Sequence, residues 1–481
     1  MIVIEKEIIE TLPDEDLPED WTLDTIGSLI AKDGVFVDGD WVESKDQDPN
    51  GDVRLIQLAD IGDGFYRNRS DRYLTYDKAL KLGCTFLKHG DVLVARMPDP
   101  LGRACIFPGD SKKSVTVVDV CIIRPNRTDI NNRWLMYFVN APAFRAAVAS
   151  LQAGSTRKRI SRSNLAKIQM PVPPPNEQKL IVAEIEKQFS RLDEAVANLK
   201  RVKANLKRYK AAVLKAAVEG RLVETEAELT RREGRDYETG AQLLQRIREI
   251  RRSQWKGKGK NKEPAATDTE DQPELPEGWV WASVGALGAV IGGFTKNPKR
   301  AKLPMKLPYL RVANVYANEL RLEEIEKIGV EKNELEKLLV LKNDLLIVEG
   351  NGSPDQIGRL AIWDGSINPC IHQNHLIKVR LSSECEPKWV VNWLLSLDGR
   401  TCIRDVASST SGLYTLSVGK VSALPVPLPP FDEQRRIITE VDRRISIISE
   451  IETEVETNLM RTERMRQSIL KSAFIGKSIG C

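Results

Sequence analysis

Two short motifs in this 481-residue sequence carry the residue types of a metal-dependent nuclease. Pro354-Asp355 followed by Glu386-Pro387-Lys388 fits the pattern in which an Asp and a Glu hold Mg²⁺ and a Lys steadies the attacking water. The spacing is loose, and a proline would interrupt the strand that such a site needs. The first half of the chain repeats Pro98-Asp99 without the Glu and the Lys. We therefore expect surface loops here, and a stand-alone Mg-dependent nuclease is the weaker alternative.

Two further strings imitate sites for methyl transfer and for nucleotide binding. Leu428-Pro429-Pro430-Phe431 is similar to the motif of amino-methyltransferases, but leucine cannot accept a hydrogen bond from the target amine. Gly476-Lys477-Ser478 ends like a phosphate-binding loop, but Lys471 stands where the earlier glycine is required. We expect neither chemistry in this chain.

The histidines and cysteines offer little for catalysis or metal binding. A zinc site at Cys370, His372 and His375 would need a fourth ligand at suitable spacing, and the first half of the chain has none of the three. The remaining histidine, His89, has no partner that would form a nucleophile–base pair. The sequence therefore predicts no metal site and no catalytic site.

The composition describes a chain that can bury several cores. It has 72 Lys and Arg against 68 Asp and Glu, a net charge of +4, and 41% hydrophobic residues. At about 100–200 residues per domain, two to four domains are expected. The start MIVIEKEIIE lacks the apolar core of a signal peptide, and the seven cysteines stand singly. We expect a cytoplasmic location and no membrane segment.

The chain contains two diverged copies of one unit. LPEDW at 17–21 returns as LPEGW at 275–279, GDVLVAR at 90–96 as NDLLIVE at 343–349, Gly102-Arg103 as Gly358-Arg359, and PVPPPNEQ at 171–178 as PLPPFDEQ at 427–434. From the last pair the copies run without a gap to AVLKAAVEG and SILKSAFIG. Each copy is therefore predicted to be a globular domain, a proline hinge and a long helix.

Each globular domain mixes short strand-like runs such as DVLVAR with helix-like segments, which predicts an α/β (α+β) fold. We predict an N-terminal tail at 1–16, a first domain at 17–176, a first long helix at 177–222, a helical connector and charged linker at 223–274, a second domain at 275–431, a second long helix at 432–476 and a C-terminal tail at 477–481.

Both long helices carry apolar residues at every seventh position, which predicts a seam with another helix. The seam positions are Ile185, Leu192, Leu199, Leu206 and Val213 in the first helix and Val441, Ile448, Val455 and Ile469 in the second. Companion apolar positions include Ala195, Val202, Tyr209, Ile451 and Met465, while Thr462 interrupts the second row. The nearest equivalent helix is the other copy, and the connector permits an antiparallel pair. Such a helix would be about 65 Å long, so a domain at each end would make the pair a ruler.

The chain resembles the specificity subunit of type I restriction-modification enzymes. The resemblance rests on LPxGW, the PVPxPxxEQ-type hinge, the LKxAxxGxL helix end and TGAQLLQRIREIRRSQW, and it covers nearly the whole chain. One departure is GKSIG at the end of the second copy, where the first has GRL. The resemblance implies two target-recognition domains that each bind one half of a bipartite site in double-stranded DNA. The helices would set the spacer between the half-sites.

The resemblance also implies partners. The helices would dock two methyltransferase subunits, which modify adenine with S-adenosylmethionine, and separate restriction subunits would use ATP and Mg. This chain would then bind no cofactor and be non-catalytic.

Basic and amide side chains in expected loops are the candidates for DNA contact. The basic candidates are Arg157, Lys158, Arg159 and Arg162 in the first copy and Lys296, Lys299, Arg300 and Lys420 in the second. Candidates for base contact are Arg96, Arg103, Asn351, Gln356, Arg359, Gln373 and Asn374, because Arg suits guanine and Asn or Gln suits adenine.

Two alternatives remain open for these residues. A solvated basic face would explain the clusters without DNA. Arg103 and Arg359 follow the same glycine in both copies, so they could support the fold; residues that read bases should differ between domains with different targets.

A second hypothesis is a coiled-coil adaptor whose domains bind proteins. Salt-sensitive and sequence-dependent retention of DNA would distinguish the DNA-binding protein from the adaptor.

Overall fold

A computed structural model describes residues 18–98, 100–154, 158–253, 272–410 and 412–474. The chain divides into two compact units, Met1–Arg201 with Val455–Cys481, and Val202–Glu454. Each unit therefore combines one globular domain with parts of both long helices. Within the described ranges, no helix has the length and apolar character needed to cross a bilayer.

The first domain is built around a four-stranded antiparallel sheet. Its strands are β1 (Thr22–Thr25), β2 (Val35–Asp38), β3 (Val53–Ile56), β4 (Tyr73–Leu74), β5 (Val92–Ala95), β6 (Ala104–Ile106), β7 (Lys113–Thr116), β8 (Val120–Arg124) and β9 (Gln169–Val172). Its helices are α1 (Tyr76–Lys81), α2 (Asn132–Val139), α3 (Pro142–Ser150) and α4 (Arg162–Ala166), and the long helix α5 (Pro175–Val218) follows.

The strand order of this sheet is β2-β8-β5-β6, beside a β4-β3-β7 sheet and a β1-β9 pair. β5 and the first four residues of β8 are buried throughout, which explains their unbroken apolar runs. On one side the sheet packs against α2, whose Trp134 and Phe138 are fully buried.

The second unit repeats this plan. After α6 (Glu226–Glu233) and α7 (Gly240–Ser253) come β10 (Val280–Ser283), α8 (Val284–Leu287), β11 (Gly288–Gly292), β12 (Lys306–Leu310), β13 (Val315–Tyr316), β14 (Glu319–Leu320), β15 (Glu326–Gly329), α9 (Leu335–Leu338), β16 (Leu345–Val348), β17 (Gly350–Asn351), β18 (Leu360–Ile362), β19 (Ile371–His372) and β20 (Leu376–Leu381). α10 (Pro387–Leu395), α11 (Leu397–Val406), β21 (Ser408–Thr410), β22 (Leu413–Thr415), α12 (Val418–Ala423), β23 (Pro425–Leu428) and the long helix α13 (Phe431–Ala473) follow.

Three sheets of the second domain match the three sheets of the first, and the second domain adds a β13-β14 pair and a β17-β22-β21 sheet. The order β11-β20-β16-β18 corresponds to β2-β8-β5-β6, β15-β12-β19 to β4-β3-β7, and β10-β23 to β1-β9. Both three-stranded sheets contain one parallel pair, β3 with β7 and β12 with β19. The predicted fold class, with two similar α/β domains and an internal repeat, is confirmed.

The repeated sequence motifs meet at the start of each long helix. In the first unit, the Trp21 indole donates to Glu177 at 2.8 Å, so the entry motif is tied to the hinge. The buried Gln178 side chain accepts from the Asn131 amide at 2.7 Å and donates to the carbonyls of Asp129 and Pro173 at 3.0 and 2.8 Å. We call these contacts the hinge clamp.

The second unit has the same hinge clamp. The Trp279 indole donates to Glu433 at 2.9 Å, and Gln434 accepts from the Glu386 amide at 3.2 Å and donates to the Pro429 carbonyl at 3.0 Å. Burial raises the pKa of Glu433, which also accepts from the Glu226 amide at 2.8 Å. The motifs that carry the family resemblance are therefore structural.

The two long helices are antiparallel within each unit. In the first unit, the C-terminal end of α13 packs into the domain core, where Phe474 contacts the rings of Trp134 and Phe138. Nearby, the Arg466 guanidinium lies 4.4 Å from the centre of the Phe189 ring and pairs with Asp193.

In the second unit, the C-terminal end of α5 does the same. Val213, Ala217 and Val218 join the core cluster that contains Trp279 and Trp389, together with Ile437 and Val441 from the start of α13. Each helix thus begins on its own domain and ends in the core of the other unit.

The seam residues form one buried row on each helix. Ile185, Leu192, Leu206, Val213, Val441, Ile448 and Val455 are buried, and Leu199 and Ile469 are half-buried. Thr462 is also buried. Its hydroxyl donates to the Asn458 carbonyl at 2.7 Å, so this polar group needs no partner across the seam. The companion positions differ from the prediction, since Ala195, Val202, Tyr209, Ile451 and Met465 are exposed.

The described part of the predicted connector contains two helices that pack on the second domain. α6 and α7 belong to the second unit: Leu243, Leu244 and Ile247 of α7 lie in its core. The buried Glu226 at the start of α6 pairs with Arg235 and Arg436. Three of the predicted segments lie wholly or partly outside the described residues. These are the connector at 254–271, the N-terminal tail at 1–16 together with Leu17, and the C-terminal residues from 475 onward.

The hinge clamp gives a stability prediction. Gln178→Ala removes one buried and two part-buried hydrogen bonds to backbone groups and should lower the free energy of unfolding by about 2–4 kcal/mol. Gln188→Ala, on a half-buried side chain of the same helix, should cost under about 1 kcal/mol. Urea unfolding of the two variants measures both values, and equal losses would rule out the clamp.

Candidate nucleic-acid interface

Loops of the first domain gather at one edge of its four-stranded sheet. Because the strands are antiparallel, β2 and β5 end at the edge where β8 and β6 begin, as the pairs Asp38–Cys121 and Val94–Ala104 show. We call the segments 39–43, 96–98, 100–103 and 117–119 at this edge the first loop edge. The antiparallel bridge between Ala153 and Arg159 lies beside it, because the Ile160 amide donates to the Arg96 carbonyl at 3.2 Å.

The second domain has an equivalent second loop edge, formed by 293–297, 349–359 and 373–375. Here β11 and β16 end where β20 and β18 begin, as in the pairs Gly292–Ile377 and Ile347–Leu360. β17 extends this edge by pairing with β22 of the β21–β22 hairpin. Each domain therefore presents one cluster of polar loops on a rigid sheet, as binding sites usually do.

Two sequence candidates of the first loop edge face the protein interior. Arg103 is 4% exposed, and its guanidinium donates to the carbonyls of Leu58 and Ile61 at 2.9 and 2.8 Å. Arg96 lies 3.2 Å from Asp38 and donates to the Val118 carbonyl at 2.8 Å. This geometry favours a supporting role for both residues over base contact.

Two candidates of the second domain are held in the same way. Arg359 donates to the Val312 carbonyl at 2.9 Å, which corresponds to the contact between Arg103 and Leu58 in the first copy. The buried Arg300 forms a two-pronged pair with Glu334, at 3.0 Å for each bond. A side chain held by such bonds is not available for DNA. The geometry therefore favours a supporting role in the fold over base contact for Arg103 and Arg359, and the same holds for Arg300.

The other basic candidates remain accessible. Lys158, Arg159 and Arg162 are exposed beside the first loop edge, and Arg162 also donates to the Phe36 carbonyl at 3.3 Å. Arg157 lies outside the described residues. At the second loop edge Lys296 and Lys299 are exposed, and Lys420 reaches the Ser408 hydroxyl of the hairpin. These side chains suit contact with phosphate groups.

The amide candidates lie together at the second loop edge. Asn351 accepts from the Ser353 amide at 2.9 Å and is half-buried, whereas Gln356 is exposed. Gln373 and Asn374 form the half-buried turn before β20, fixed by backbone bonds to Leu310 and Phe294. All four amides therefore belong to segments of the second loop edge.

Two exposed or half-exposed residues of the loop edges were missed by sequence reasoning. Trp41 is 69% exposed on a backbone fixed by the Asp40–Val117 bridge, and its indole could stack on a base. Glu349 stands at the end of β16 with 32% of its side chain exposed, and burial raises its pKa. A bulky aromatic residue in the polar string DGDWVES was the only signal for Trp41.

The residues proposed for metal chemistry do not assemble. Among the described residues, no three His, Cys, Asp or Glu side chains group together as metal ligands. Asp355 lies near Arg404 and Lys388 pairs with Asp442, so their nearest charged partners lie elsewhere. Asp99 is outside the described part of the chain.

His372 has a structural environment. Its ring nitrogens lie 3.0 and 3.3 Å from the carbonyl oxygens of Leu338 and Ile291, deep in the second domain. Burial and the nearby Lys378 ammonium lower its pKa to about 4. His375 is exposed instead, so the two histidines do not converge on a common site.

Comparison with known proteins gives a consistent picture. Residues 18–208 and 276–458 match the type I restriction modification DNA specificity domain. The chain is 24% identical to the type I restriction enzyme EcoKI specificity subunit of Escherichia coli (strain K12), covering 74% of this chain and 67% of that protein. It is 23% identical to the EcoAI specificity subunit of Escherichia coli, covering 94% and 82%.

Solved structures share the fold. A chain from a study of complex assembly and conformational transition of the type I R-M system has a TM-score of 0.63 at 16% identity, covering 96% of this chain and 99% of that chain. The HsdS subunit from Thermoanaerobacter tengcongensis has a TM-score of 0.54 at 17% identity, covering 96% and 98%. The family resemblance deduced from the motifs is confirmed.

The exposed cations give a prediction on DNA binding. Lys158→Gln with Arg159→Gln should weaken DNA binding and reduce the slope of log affinity against log salt by about 1 to 2, because up to two phosphate contacts are lost. The matched control is Lys32→Gln with Lys88→Gln, exposed residues that precede β2 and β5 at the opposite edge of the sheet. A salt series of mobility shifts measures the slope, and equal slopes for both double variants would contradict this interface.

The buried imidazole gives a pH prediction. Between about pH 6.5 and 4 the unfolded chain protonates His372 while the folded chain does not, so stability falls as the pH falls through this window. The free energy of unfolding should fall by at most about 1.4 kcal/mol per pH unit, and His372→Gln should remove this contribution to the pH dependence. Unfolding midpoints at pH 7 and pH 5 test it; an equal drop in both proteins would show that His372 does not titrate in this way.

Proposed function

Because the chain belongs to the family of type I restriction modification DNA specificity domains, we propose that it gives a type I restriction-modification complex its DNA sequence specificity. Each recognition domain binds one half of a bipartite site through its loop edge. The observation that carries this proposal is the pair of equivalent loop edges on matching sheets, each bordered by exposed cations.

The divergence between the two loop edges supports two different half-sites. The supporting arginines, Arg103 and Arg359, are the same in both copies, while the exposed residues differ. A residue that holds the fold must be kept in both domains, whereas a residue that contacts a base must change with the base.

The exposed apolar residues of the long helices support docking of methyltransferase subunits. In the second unit, Val202, Tyr209, Ile447 and Ile451 are 39–47% exposed, and in the first unit Met460 and Met465 are 57% and 46% exposed. Apolar side chains at helical spacing beside a buried row are suited to a further helix. A mixed-charge groove of about 800 Å³ beside the helices of the first unit offers a second contact region.

The division of labour in the complex follows from this assignment. Two methyltransferase subunits would bind S-adenosylmethionine and modify adenine, and restriction subunits would use ATP and Mg. The present chain would be the non-catalytic member of the complex, located in the cytoplasm.

Modified-base sequencing of cells that express this chain with its methyltransferase tests the proposal. The wild type should give a bipartite motif with a fixed spacer. One heptad inserted after Arg201 and another after Glu454 adds about 10 Å to each helix, so the spacer should widen by about two to three base pairs with both half-sites unchanged.

The matched control places seven residues after Lys260, in the charged segment between the copies, and should leave the spacer unchanged. A fixed spacer in the helix variant would refute the ruler. An adaptor protein would give no methylated motif and no salt-sensitive DNA retention.

A further inference from the structure

Glu349 occupies an equivalent backbone position at which the two loop edges differ in charge. Its amide donates to the His375 carbonyl at 2.9 Å and its carbonyl accepts from the Leu416 amide at 2.7 Å. In the first domain, the Arg96 amide and carbonyl make the same two bonds, with Asp119 and Ile160. The backbone position is therefore the same, and a glutamate replaces an arginine.

The Glu349 carboxylate retains hydrogen-bonding capacity. Within the described part of the chain, its charged neighbour is His375, whose Nδ1 lies 3.7 Å from the carboxylate oxygen, beyond the length of a good hydrogen bond. About a third of the side chain is exposed, and the half-buried Gln373–Asn374 turn lies directly before His375. The carboxylate can thus accept a bond from outside the protein.

The negative charge of the Glu349 carboxylate restricts which part of DNA it can contact. A carboxylate is repelled by phosphate, so Glu349 does not serve the sequence-independent part of binding that suits Lys296 and Lys420. Base edges in the major groove offer amino donors, and a Glu side chain pairs with the N4 amino group of cytosine.

We infer that Glu349 is a specificity-determining residue of the second domain, which accepts a hydrogen bond from a cytosine amino group in the half-site that this domain binds. This inference rests on the proposed function and assigns a chemistry to one side chain of its surface. Arg96, at the same position in the first domain, is turned toward Asp38 and Val118, so the two domains use this position differently.

The test uses the assembled complex of the chain with its methyltransferase subunits, and modified-base sequencing as the readout. Glu349→Gln should reduce the preference for cytosine at one position of one half-site by about 5- to 100-fold and favour adenine, which an amide pairs with. The other half-site and the spacer should not change. Glu349→Asp keeps the carboxylate and should retain cytosine, while Glu336→Gln on α9, an exposed acid of the same domain, should leave the motif unchanged.

Each other outcome is also decisive. An unchanged motif in Glu349→Gln, or a half-site without a G·C pair, would overturn the inference and leave the proposed function intact. Loss of all methylation with a lowered unfolding midpoint would also overturn it, because Glu349 would then be structural. Absence of any bipartite motif in the wild type would instead contradict the proposed function.

Discussion

The hinge clamp is the contact on which the rest of the structure depends. A Glu-Gln pair at the start of each long helix binds the entry tryptophan of its own domain and the backbone that precedes α2 in the first domain and α10 in the second. Because the glutamines are buried and bonded to backbone groups, the start of each helix cannot rotate against its domain without breaking several bonds. The opposite end of each helix is fixed by a different means, an apolar anchor in the core of the other unit, such as Phe474 against Phe138.

This arrangement separates the residues that hold the fold from the residues that can vary. Arg103 and Arg359 each bind the carbonyl that opens an equivalent short helical turn, and they are the same in both domains. Glu349 and Arg96 occupy one equivalent position and differ in charge. A loop edge held by a constant framework can change its exposed residues at little cost to stability, which is what a protein that reads two different half-sites requires.

The sequence predicted the internal repeat, the α/β class and the buried row of the long helices, because each depends on periodic patterns that local chemistry creates. It did not predict that the entry tryptophan and the hinge glutamate bond to each other, since they stand more than 150 residues apart. The packing of α7 in the second core was also missed, because its charged face resembles that of a solvated connector. Burial of Arg103 and Arg300 depends on carbonyl and carboxylate partners that only the tertiary structure supplies.

On the proposed function, each domain reads one half-site independently of the other, within a common framework. Replacing residues 276–428 by a copy of residues 18–172 keeps both long helices, restores a Trp–Glu clamp contact at Glu433 and exchanges the second globular domain for a copy of the first. Modified-base sequencing of cells that express this chimera should show the first half-site together with its inverted repeat. A motif that still contains the original second half-site would contradict the account.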